Sequence, residues 1–213
     1  DPGAVGVDGM YEKTVNLKFS LILGKLLKEK GFTVLYTRKT DKFIPLLDRS
    51  GEANVKKADL FISVHCNAHE VSKLSGIETY SLNLASSADA GRVARQENYG
   101  QDRKISELDV ILTDMMLSSK VSESKDLANV VHDQMVRAIH TVYKIRDHGT
   151  RTAPFHVLIG AKMPAILLEL GYITNRKDAE QLKSEAYLKK VARGVAEGIV
   201  LYKKQVENLA GLN

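Results

Sequence analysis

An α/β fold is what this sequence predicts, on three observations. Helix-like and strand-like apolar patterns alternate along the chain. Its 213 residues, 44% hydrophobic and 27% charged, suffice for one globular domain with a sizeable core. Two nearly continuous apolar runs, residues 60–65 and 165–170, have the composition of strands covered on both faces.

The elements follow in order. Residues 14–30 predict a helix, because Val15, Phe19, Ile22, Leu23, Leu26 and Leu27 recur at i, i+3, i+4 spacing and Gly31 supplies a stop. Residues 32–36 read as a short strand and 46–57 as a second helix. Residues 60–65 (LFISVH) and 76–82 are strand candidates. Residues 88–98 and 105–117 are helix candidates joined by a polar stretch at 99–104. A long helix is expected over 122–143, with Leu127, Val131, Met135, Ile139 and Val142 on one face. Strands at 155–159 and 165–170 and helices at 175–182 and 185–204 complete one domain, residues 1–205. Residues 206–213 read as a tail or linker remnant. No internal repeat or low-complexity segment interrupts this order.

Composition narrows the function classes. No run of about 18 apolar residues is present, so no membrane span is expected. The single cysteine, Cys66, rules out an internal disulfide. The net charge of +5 is spread along the chain without an aromatic-basic array, which favours solubility over nucleic-acid binding. The chain opens Asp1-Pro2-Gly3, without an export signal, and reads as a trimmed segment of a longer protein.

Ionisable residues inside strand-like runs are the chemical signal. His65 ends one run and Glu169 interrupts the other. In open α/β sheets, ligands gather beyond the carboxyl ends of strands. A strand-end histidine alone is most simply a hydrogen-bonded structural residue. A carboxylate in an apolar strand instead requires a partner, a raised pKa or a metal. Glu12, judged on spacing alone, is a first-turn glutamate favoured by the helix dipole. His69, His132, His140, His148 and His156 show no metal-motif spacing, and His132 and His140 are expected at or near the surface.

Several segments together carry a family resemblance. They are Asp1 to Gly6 with Tyr11-Glu12-Lys13, Thr37-Arg38 with Asp41, Arg49 with Ala53-Asn54, and Ala58 to Asn67. Glu97-Asn98, Ile111-Leu112 with Asp114, and Met163 to Asn175 continue the series. In this order they resemble the N-acetylmuramoyl-L-alanine amidases of the Amidase_3 type over nearly the whole chain.

The resemblance implies a mixed, mostly parallel central sheet with helices on both faces, and a zinc-dependent enzyme that cuts peptidoglycan between N-acetylmuramic acid and L-alanine. It implies Glu12 and His65 as zinc ligands and Glu169 as the catalytic acid-base. A further histidine ligand and the family's first strand are expected just upstream of Asp1, outside this sequence. The implied partner is peptidoglycan and the implied location periplasmic or extracellular, with a monomer expected. Some relatives plug the active site with a helix near the stretch 99–119 until an activator protein removes it; here the segment is short, although Glu107 and Asp109 are metal-capable. Two other readings stay open: a non-catalytic wall-binding or regulatory module, and a metal peptidase acting within the stem.

Overall fold

The computed structural model describes residues 3–99 and 119–211. Its helices are α1 (Glu12–Glu29), α2 (Leu46–Val55), α3 (Ala88–Glu97), α4 (Ser119–Ile139), α5 (Arg176–Lys183) and α6 (Glu185–Leu209). Its strands are β1 (Phe61–Asn67), β2 (Ile77–Leu82), β3 (Asp147–Ala153) and β4 (Ala165–Tyr172), in the spatial order β1-β4-β2-β3. The β1–β4 and β2–β3 pairs are parallel and the β2–β4 pair is antiparallel, so the sheet is mixed with parallel pairs in the majority.

Alternation along the strands divides the core in two. Cys66, Ile166, Leu168 and Leu170 join α1, α4 and α6 in one cluster, with Ile62 and Val64 packed against it. Phe61, Tyr80, Leu82, Ala165 and Leu167 face the other way, towards α2, α3 and the 3-10 turn His156–Leu158. Cys66 is fully buried on the opposite face from His65, the core position its neighbour's parity predicts.

Side chains start several helices by taking up free N–H groups. Ser87 accepts from Ala90 N, Asn175 from Lys177 and Asp178 N, and Ser184 from Tyr187 N. Asp178 then reaches back: one carboxylate oxygen accepts from Gly76 N at 2.8 Å and Tyr172 N at 2.9 Å, tying α5 to the entry of β2 and the end of β4. Behind the sheet, α6 lies almost backbone to backbone on α4. A methyl group at Gly194 would collide with the Gln134 carbonyl and Met135 Cα, and one at Gly198 with Val131 Cα.

Three expectations change. Residues 32–36 form no strand ladder with any described residue, and a cleft of about 1400 Å³ separates them from β1. Residues 155–159 form the 3-10 turn rather than a strand. The strand in that region is β3, whose polar sequence suits a sheet edge and therefore lacks the apolar signature of a central strand. The last helix continues past Lys204 to Leu209, into the stretch read as a tail. The helix expected at 105–117, the motif residues Ile111, Leu112 and Asp114, and Glu107 and Asp109 lie outside the described residues.

Candidate metal centre

The site begins at the N-terminus of α1. Glu12, the first residue of that helix, turns inward and is buried. Its Oε2 accepts from Ala4 N at 2.9 Å, and its Oε1 from Asn16 Nδ2 at 2.9 Å and Cys66 N at 3.3 Å. Gly3, at φ +67°, passes so close that any side chain there would strike the Glu12 carboxylate.

At the end of β1, His65 Nδ1 lies 3.0 Å from Glu12 Oε1 and 2.6 Å from Glu97 Oε2, while Nε2 pairs with Ser63 Oγ at 3.0 Å. Burial opposes charge on the ring, but the two carboxylates outweigh it and raise the His65 pKa well above its ordinary value. For Glu12 burial acts upward, and the His65 ring, the Ala4 N–H and the Asn16 amide more than reverse it, bringing the carboxyl down to about 2. Glu12, His65 and Glu97 together offer three ligand atoms within 4.8 Å of one another.

Glu169 stands beside this group. It pairs with His65 in the β1–β4 register and with Glu78 in the β2–β4 register, so three ionisable residues form one row across three strands. Glu169 is fully buried, and neither carboxylate oxygen has a hydrogen-bond partner among the described residues. Burial, followed by the Glu97 charge, raises its pKa well above the ordinary carboxylate range, against a smaller opposing effect of His65. Glu78 is the better-supported neighbour: it accepts from Tyr80 and Tyr172 hydroxyls and lies 3.6 Å from Arg151.

The structure thus brings Glu12 and His65 into contact and sets Glu169 next to His65. Sequence reasoning placed Glu97 in a family-like segment with Asn98 but gave it no chemical role. It ends α3, whose Arg92 donates to the Ala68 carbonyl and to Asn67 Oδ1 at the end of β1, and this anchoring sets Glu97 beside His65. His132 is also corrected. It is buried, 3% exposed, with Nδ1 2.9 Å from Thr79 Oγ1 and Nε2 2.7 Å from Asp147 Oδ1. Its helix packs this face against β2, so the histidine must find polar partners inside.

The sequence profile of the Amidase_3 family, described as N-acetylmuramoyl-L-alanine amidase, matches residues 1–200. The chain is 30% identical over 207 residues to the N-acetylmuramoyl-L-alanine amidase AmiA of Escherichia coli (strain K12), covering 95% of this chain and 72% of that protein. It is 33% identical over 205 residues to the protein YqiI of Bacillus subtilis (strain 168), covering 96% and 80%. Among solved structures, the catalytic domain of CwlV, an N-acetylmuramoyl-L-alanine amidase from Bacillus (Paenibacillus) polymyxa var. colistinus, is similar at a TM-score of 0.73 and 32% identity, covering 96% of this chain and 92% of that one.

Proposed function

From the premise that this chain belongs to the Amidase_3 family of N-acetylmuramoyl-L-alanine amidases, enzymes acting on peptidoglycan, we propose that it hydrolyses the amide joining N-acetylmuramic acid to L-alanine of the stem peptide, with zinc as its metal. The observation that carries the reading is the convergence of Glu12, His65 and Glu97 beside Glu169.

The residues fit such an ion. Two carboxylates and one imidazole are donor types zinc accepts, and the further histidine that the family resemblance implies would add to this set. His65 is already oriented: with Nδ1 facing the carboxylates, its Nε2–H donates to Ser63 Oγ, the kind of outer contact that fixes a ligating ring. Glu12 is favoured in its charged form, as a ligand must be. Zinc held here supplies Lewis-acid chemistry, which acidifies water and polarises carbonyl groups.

The remaining work belongs to the chain. Glu169 takes a proton from the attacking water and delivers it to the departing amine nitrogen, so that no serine or cysteine nucleophile is needed. Its buried position excludes competing hydrogen bonds. Neutralising Glu97 and Glu12 with a cation removes two of the charges that raise its pKa, and so moves Glu169 towards the ionised form a base requires. In this reading residues 1–205 are the catalytic domain, working on peptidoglycan in the periplasm or outside the cell. No helix among the described residues is long and apolar enough to cross a membrane.

Mass spectrometry of digested muropeptides tests the reading. Intact stem peptides beginning at L-alanine, released alongside peptide-free glycan, are expected. Fragments cut within the stem would overturn it in favour of a peptidase.

A further inference from the structure

The described residues include four half-buried arginines, and three have their terminal nitrogens engaged. Arg38 donates to the carbonyls of Lys13 and Thr40. Arg92 donates to the Ala68 carbonyl, Asn67 and Gln96, and Arg151 to Asp89. Arg49 is the exception. Its Nε donates to the Ile44 carbonyl at 3.0 Å, which fixes the plane of the guanidinium, but its two terminal nitrogens have no hydrogen-bond or ion-pair partner among the described residues.

Arg49 projects from the first turn of α2 into the cleft that Glu12, His65 and Glu97 also line. Burial, with Arg38 second, lowers its pKa, and the Glu97 and Glu12 charges act in the opposite sense. The group therefore feels both carboxylates without bonding to either. A partly desolvated guanidinium presenting two donors side by side matches a carboxylate bidentately. The two described carboxylates whose charge it feels are committed to His65, so among the described residues none supplies the complementary anion, and a carboxylate carried by the substrate fits the place.

We propose that Arg49 is a substrate-anchoring residue that grips a carboxylate on the peptide side of the scissile amide and sets the register of the chain across the metal centre. The proposal rests on the amidase reading and adds to it a preference for free over amidated stem carboxylates. An arginine anchored at Nε and open at both terminal nitrogens discriminates between the two, because a primary amide offers a single neutral acceptor oxygen. The expected preference is roughly ten- to hundredfold, the range of a hydrogen bond to a charged partner.

The experiment measures binding of isolated stem peptides to the intact zinc-loaded protein by calorimetry, with the carboxylates free or amidated, for wild type, Arg49→Gln and Arg49→Lys. Wild type should prefer the free acid, Arg49→Gln should lose that preference to within about twofold, and Arg49→Lys should keep a reduced part of it. Equal thermal midpoints and zinc contents certify that the variants fold. Equal wild-type affinity for both peptides, or an unchanged preference in Arg49→Gln, overturns the proposal. KM on muropeptides should follow the same pattern. Failure of the wild type to hydrolyse any muropeptide would sink the amidase reading instead, while the binding preference is read separately.

Discussion

Glu169 on β4 sits directly across from His65 on β1 in the parallel register, yet none of the described residues gives its carboxylate a hydrogen bond. A buried, unsupported carboxyl is a cost to the fold, and the acid-base role proposed for Glu169 gives that cost a reason.

Glu169→Gln should therefore separate activity from stability. Turnover on muropeptides is expected to fall by roughly 10²- to 10⁴-fold, the usual contribution of a positioned acid-base. The melting temperature should hold or rise, since a neutral amide replaces a desolvated acid. A variant within a few-fold of wild-type kcat would remove Glu169 from the mechanism.

His65→Ala should abolish stoichiometric zinc binding, because it removes the one nitrogen donor among the three clustered groups. Elemental analysis after dialysis reads this directly. Undiminished zinc would mean that the ion sits elsewhere. Glu97→Gln is expected to weaken zinc by a smaller factor, about 10- to 100-fold.

The Glu12–His65 pair fixes a pH window for the metal-free protein. Glu12 has a folded pKa of about 2, below its ordinary 4.5, so its contribution is complete above 4.5 and disappears as pH falls towards 2. The His65 pKa is raised above 6.5, so its contribution is complete below 6.5 and disappears as pH rises through the elevated value. Both act together between about 4.5 and 6.5. The difference in melting temperature between wild type and Glu12→Gln, both stripped of metal, should peak in that interval. A flat difference from pH 3 to 9 would show that the pair does not form. Zinc binding should release a proton, which weakly buffered calorimetry detects.

Asp178→Ala should destabilise the domain by about 2–3 kcal/mol, because it leaves the buried N–H groups of Gly76 and Tyr172 without their acceptor. Denaturant titration measures the loss. A change below about 0.5 kcal/mol would mean that other acceptors replace the carboxylate.

The parts of this molecule that alternate or repeat were readable beforehand. The heptad-like stripe of α1 and the apolar runs of β1 and β4 reported their burial through composition alone. β3 did not, because a sheet edge tolerates Asp147, His148, Thr150 and Arg151, which look like loop residues. The extended run at 32–36 has strand composition but no ladder partner among the described residues, and composition cannot report a neighbour. Within the site, Glu169 was conspicuous because a charge in an apolar strand breaks a rule. Glu97 and Arg49 break none: each suits an ordinary helix surface, and although both fall in segments that carry the family resemblance, only the fold shows that they face the cleft. His132 misled for the same reason, since helical position alone does not say that β2 lies against it.

Gly194 and Gly198 let α4 and α6 touch along their main chains, and β2 and β4 rest on α4. A hydrogen atom at each of these positions thus sets how closely α6 approaches α4, the helix on which the strands carrying Glu78 and Glu169 rest. An added methyl at either glycine would therefore press on the main chain of the helix behind Glu78 and Glu169 while touching neither residue, so the two sides of the sheet are coupled through the clearance of a single hydrogen atom.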